Sequence, residues 1–263
     1  MGGDRALSRD AHGVDSPQAR ILSFFDRRPI LGAILVTLLD LLLSLVLTWL
    51  LRPLVPAGLQ ADFFTLIVLA VLTAIAVTLL GWWREAGFNA PGQWRGLGYL
   101  VVPFLAVIVL PLASGWQSVP FGTALYYLAG YGLTAFHEET LMRGVVVRIL
   151  APGGRARAVW LSALLFGLLH APNLFVRSSP ALVLAQMVGA GTSGVGLAAL
   201  RLRTNTIWFV IAIHFFEDIL LRYTRLPAIP INVAQSVILF AVGLYILWRT
   251  GKEKDHNETA RSA

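Results

Sequence analysis

The sequence predicts an all-α, polytopic membrane protein of about eight transmembrane helices. Three observations carry this reading. Of the 263 residues, 57% are hydrophobic and only 13% charged, about half the charged share of an ordinary soluble domain. The apolar residues gather into stretches near the roughly 20 residues needed to cross a bilayer. The basic residues are distributed unevenly between alternate connections. Such a composition excludes a soluble enzyme, because too little polar surface remains to cover a core of this size. The chain has no cysteine, which excludes a thiol nucleophile, a disulfide framework, an iron–sulfur cluster and a zinc site built on sulfur.

Residues 1–28 are polar, carry both charge signs and lead into the first apolar stretch without a cleavage-site pattern. They are expected to be a disordered cytoplasmic tail ahead of an uncleaved anchor. The expected spans are residues 29–51, 62–83, 97–112, 120–150, 158–171, 180–200, 206–223 and 229–248. The third and fifth are short. Residues 29–249 therefore read as the membrane domain and 250–263 as a second cytoplasmic tail. With the amino terminus inside, sixteen Lys and Arg fall on the cytoplasmic side and four outside (Arg52, Arg177, Arg222 and Arg225), with Arg143 set aside at membrane depth. Positive residues hold loops on the cytoplasmic side, so both termini are expected there. Trp82, Trp83, Trp94, Trp208 and Trp248 lie near span ends, as interfacial aromatics do. The basic residues form no single stripe, so nucleic acid is not an expected partner; the lipid bilayer is.

Ionisable groups at membrane depth are costly, and each is a functional candidate by default. Asp40 stands alone in the first span and reads as a structural group hydrogen-bonded inside the bundle. The fourth span carries His137, Glu138, Glu139 and Arg143, the fifth ends on His170, and the seventh holds His214, Glu217 and Asp218. Glu138 lies 16 residues before Gly154 and His170 lies 16 after it. At about 1.5 Å per residue, an antiparallel hairpin turning at Gly154 brings both to one depth. His214, 11 residues beyond Arg203, reaches a comparable level. Glu139 and Arg143 are spaced i, i+4 with the acid first, the preferred order for an ion pair. Glu138, rotated about 100° from Glu139 on the helix, is left to face a cavity. His214 and Asp218 share a face, while His137 reads as a satisfied helix histidine.

Other patterns are weaker. Position 141 is leucine, so the HExxH zinc motif that His137-Glu138 begins is absent. The GxSxG and Walker motifs are missing too. Gly189, Gly191, Gly194 and Gly196 in the sixth span read as packing residues that let helices approach closely.

Glu138-Glu139-x-x-x-Arg143, Phe166-x-x-x-His170 and His214-x-x-x-Asp218 together resemble the three-motif signature of the CPBP family, the CAAX proteases and bacteriocin-processing enzymes. The flanks agree: Met142-Arg143-Gly144 follows the glutamates, and Arg203-Thr204-Asn205-Thr206-Ile207-Trp208 leads into the third motif. The resemblance covers about residues 120–220. It implies an eight-helix intramembrane endopeptidase with an active-site cavity, in an integral protein of a bacterial plasma membrane. The substrate would be a prenylated CAAX protein, a bacteriocin-like peptide or a membrane peptide. Glu138 would be the general base, helped by His170; His214 and Asp218 would stabilise the oxyanion; Glu139 and Arg143 would be essential supports. Where the eukaryotic enzyme carries asparagine, this chain has Asp218. An ionised aspartate cannot donate to an oxyanion, so either Asp218 is protonated or it orients a protonated His214. The metalloprotease form of the family would use one Zn ion on His170, His214 and a carboxylate from Glu138 or Asp218; the metal-free form is slightly favoured. The alternatives are a catalytically inactive scaffold or immunity factor, which the complete motif set disfavours, and a small transporter, which would show broken helices and internal repeats.

Overall fold

In the computed structural model all eight apolar stretches are helical. The structure describes residues 16–55, 61–92, 94–113, 115–176, 179–225 and 228–262. The helices are α1 (Pro17–Arg27), α2 (Pro29–Leu51), α3 (Ala61–Leu80), α4 (Val101–Leu112), α5 (Phe121–Glu139), α6 (Val147–Leu150), α7 (Arg155–Leu169), α8 (Asn173–Val176), α9 (Pro180–Thr204), α10 (Trp208–Tyr223) and α11 (Ala228–Ser262). No strand occurs among the described residues. Five helical segments are long and apolar enough to cross a membrane: Pro29–Leu51, Asp62–Leu80, Arg155–Phe175, Pro180–Thr204 and Ile229–Glu253. The other three are shorter or interrupted. The third begins as a 3₁₀ turn, Trp94–Leu100, before α4. The fourth is broken by a π-helical turn, Thr140–Val146, between α5 and α6.

Both tails differ from expectation. Residues 1–15 lie outside the described residues, but Pro17–Arg27 is helix rather than disordered chain. The Ser16 hydroxyl accepts from the Ala19 N–H at 3.1 Å with Pro17 at the first helical position, a favoured helix start. Leu22 and Phe25 then pack into the core beside Trp82. At the other end α11 continues past residue 249 to Ser262. Glu253 on this extension accepts from both terminal nitrogens of Arg203, at 2.7 and 2.9 Å.

Small residues set the helix spacing. A Cβ at Gly196 would lie 2.3 Å from the Leu239 carbonyl oxygen, and one at Gly167 would lie 2.7 Å from that of Met187. The α9–α11 and α7–α9 crossings therefore depend on glycine, as expected for the sixth span. α9 ends at Asn205 in the left-handed conformation (φ 55°), a common helix stop. In the last turn of α9 the buried Arg201 donates to the carbonyls of Ala86 and Glu85 at 3.1 and 2.8 Å, tying the connection after α3 to α9. Outward-facing α2 residues such as Leu38, Leu39 and Leu42 are more than half exposed, as a lipid-facing surface requires. A groove of about 330 Å³ between α2 and α7 is lined by leucines and holds no titratable group.

Candidate active site

The site is built around the break in the fourth helix. At the π-turn the Val147 N–H reaches back five residues to the Met142 carbonyl. That carbonyl also accepts from the Ser162 hydroxyl of α7 at 2.9 Å. π-turns inside α-helices often mark functional sites, and this one follows directly after Glu139. Every residue of the turn is buried.

Glu139 and Arg143 are both fully buried, with Arg143 Nη1 3.0 Å from Glu139 Oε1, as their spacing predicts. The Arg143 guanidinium also lies over the Phe166 ring, 4.1 Å from its centroid. Gly194 makes room for it: a Cβ there would stand 3.1 Å from Arg143 Nη2. Glu139 has a second partner that the spacing does not reveal. His214 Nδ1 lies 2.8 Å from the same Oε1. A carboxylate can only accept here, so Nδ1 carries the proton and Nε2 points the other way. Nε2 lies 3.5 Å from Asp218 Oδ2 and 3.8 Å from Glu138 Oε2, between two carboxylates and beyond ordinary hydrogen-bond length from either.

His170 terminates α7. Its Nδ1 lies 2.9 Å from the Phe166 carbonyl oxygen, which can only accept, so in the neutral ring Nε2 is an acceptor. The two histidines are thus held by one rule: each has Nδ1 anchored and Nε2 free for chemistry. Phe166 spaces them, its ring in edge contact with both.

These groups share a cavity of about 770 Å³, whose polar lining includes Glu138, His170, His214, Glu217, Asp218 and Asn232. The convergence of α5, α7 and α10 expected from the hairpin arithmetic is therefore present. Glu139 and Arg143 stand behind the cavity wall. Asp40 and His137 lie elsewhere: His137 Nε2 is 3.2 Å from Asp40 Oδ1 and its Nδ1 2.9 Å from the Thr73 hydroxyl. This is a structural tie between α2, α3 and α5, as read for both residues. Sequence reasoning passed over Glu217, which is buried and accepts from the Asn232 side chain of α11 at 3.3 Å. Its signal was available, since Glu217 is i+3 from His214 and shares its helix face.

A zinc site would need three protein donors converging on one point. Among the described residues no three His, Asp or Glu side chains are so arranged. The donor set His170, His214 with Glu138 or Asp218 does not fit an ion, and the metal-dependent form of the resemblance finds no support in it.

Comparison with known proteins agrees with the motif reading. Residues 120–220 match the family model described as type II CAAX prenyl endopeptidase Rce1-like. A search of curated proteins returns no match. The matched segment runs from the start of α5 into α10 and contains all seven motif residues.

Proposed function

Because residues 120–220 carry an Rce1-like CAAX endopeptidase domain, we propose that this membrane protein hydrolyses peptide bonds with a water activated by Glu138. One observation carries the reading: a carboxylate and two imidazoles from three helices line one cavity, each imidazole anchored through Nδ1. Peptide hydrolysis needs a nucleophilic water, donors for the tetrahedral oxyanion, and a proton for the leaving amine. Glu138 faces the cavity without an ordinary hydrogen-bond partner at His214 and takes the proton of the water. His170 Nε2, an acceptor in the neutral ring, orients that water. Glu138 then returns the proton to the leaving nitrogen.

The oxyanion falls to His214. Its Nδ1–H is committed to Glu139, so Nε2 donates only when the ring carries both protons. Glu139 on one side and Asp218 on the other supply the negative charge that stabilises such an imidazolium. Asp218 then orients the donor and need not donate itself. Of the two alternatives left by the sequence, this contact pattern supports a protonated His214. Glu139 and Arg143 are positioning residues that act through His214.

The test is Glu138→Gln, which keeps shape and removes the base. It should abolish cleavage of a membrane-embedded peptide while leaving the melting temperature of the purified protein unchanged. Activity retained in Glu138→Gln refutes the assignment. Activity of the wild type after dialysis against a chelator should also persist; its loss, with restoration by zinc, would return the metal form.

A further inference from the structure

The cavity is closed at one end of the bundle and open at the other, and the charge of the loops says which end is which. α5 and α6 run toward Arg148, α7 starts from Arg155, α9 ends at Arg201 and Arg203, and α11 passes Arg249. All these arginines lie at one end. The cavity avoids it. On α9 its lining runs from Leu182 to Leu197, on α10 from His214 to Leu221, and on α11 from Ile229 to Val237. On α10 and α11 these are the parts remote from the arginines, and on α9 the lining stops one turn short of Arg201.

Toward the arginine-rich end the catalytic groups meet a plug. Met142, Val146, Leu197, Leu200, Val210 and Ile213 are each no more than 1% exposed. Toward the other end exposure rises turn by turn. The side chain of His214 is 10% exposed and that of Asp218, one turn further along α10, 31%. Val188, Ile229 and Val233 on the rim are more than half exposed. The cavity that holds Glu138 therefore opens away from the arginine-rich end. Among the described residues that end carries Arg52, Arg222 and Arg225, whereas Arg148, Arg155, Arg201, Arg203 and Arg249 stand at the opposite one. Loops so poor in Lys and Arg belong on the non-cytoplasmic side.

We propose that this site is served from the non-cytoplasmic side of the bilayer. Its substrates are then exported or membrane-anchored polypeptides whose scissile bond lies in the outer half of the membrane, not C termini displayed in the cytoplasm. The sidedness stands on the fold and the charges; the substrate class rests in addition on the peptidase reading above.

The absence of cysteine makes the test direct, because any thiol is an introduced one. Ile229→Cys at the mouth and Arg157→Cys in the connection before α7 are each expressed in cells and treated with a charged, membrane-impermeant thiol reagent. Ile229→Cys should label in intact cells and Arg157→Cys only after permeabilisation. Any other pattern overturns the sidedness. Membranes from cells with wild type and with Glu138→Gln are then compared by proteomics. Uncleaved polypeptides that accumulate with the variant should be exported or membrane-anchored, with their cleavage sites in the outer half of the bilayer. Accumulation of cytoplasmic C termini overturns the substrate class. Correct labelling with no accumulating polypeptide overturns the peptidase reading and leaves the sidedness standing.

Discussion

Breaking the Glu139–Arg143 pair should cost far more than removing it. Both side chains are fully buried, 3.0 Å apart. Arg143 Nε, Nη1 and Nη2 and Glu139 Oε2 nevertheless complete no hydrogen bond of good geometry within the protein. A buried pair so incompletely bonded gains little over its desolvation, whereas removing one partner leaves an uncompensated charge and costs about 3–5 kcal/mol. Arg143→Met should thus lower the folded-to-unfolded ratio by between roughly two and four powers of ten. Glu139→Gln in the same chain removes the stranded charge and should recover most of that loss. The assay is a double-mutant cycle on the purified protein, with unfolding followed in mixed detergent. The expected coupling exceeds about 2 kcal/mol, against the few tenths typical of independent sites. Activity should separate from stability: the double variant folds, but His214 has lost its anionic partner and cleavage falls by about a hundred- to a thousandfold, the usual cost of an oxyanion donor. A double variant no more stable than the sum of the singles, or one that folds and cleaves normally, refutes the reasoning.

Three further outcomes follow from named contacts. Ser162→Ala removes the hydroxyl that donates to the Met142 carbonyl at the π-turn and should lower stability by about 1 kcal/mol; an unchanged thermal midpoint would mean the turn is held otherwise. Asp40→Ala strips His137 of one of its two buried partners and should cost about 1–3 kcal/mol with kcat of the folded protein unchanged, whereas a loss of kcat at full stability would move this pair into the chemistry. Asp218→Asn keeps the shape of a residue 3.5 Å from His214 Nε2 and supplies an amide donor, so activity should survive and resist chelation. Loss of activity together with bound zinc would reverse the reading of that residue.

The fold was legible where the bilayer imposes its rule and obscure where local hydrogen bonding decides. Each apolar stretch is helical because a spanning segment has no other way to satisfy its backbone in lipid. In the amino-terminal tail, polarity points to disorder where residues 17–27 are helix. Yet Ser16-Pro17 is a helix start in its own right, and Ile21, Leu22, Phe24 and Phe25 within eleven residues already carry an apolar surface that can dock. The π-turn left no such mark. Residues 140–146 contain no proline to mark a break, and the carbonyl shifted to an i+5 donor is also bonded by Ser162 of another helix, a contact that no local pattern encodes.

The site was legible for a related reason. Antiparallel helices convert sequence distance from a turn directly into depth, so Glu138 and His170, equidistant from Gly154, had to meet. Depth says which groups share a level; rotation and neighbours decide what each does there. The 100° between Glu138 and Glu139 separated a cavity-facing acid from a buried one, but did not show that the buried one serves two partners. Glu139 Oε1 meets both Arg143 and His214. The spacing showed the first because it lies on the same helix; the second comes from α10, 75 residues away. That shared oxygen is what links the two motifs chemically. Arg143 pairs with Glu139 at 3.0 Å, and the same carboxylate oxygen accepts from Nδ1 of His214 at 2.8 Å, which fixes a proton on that nitrogen. Arg143, which does not line the cavity, is thus joined through Glu139 to the histidine that does, and on the proposed mechanism a substitution at Arg143 reaches the chemistry without touching the substrate.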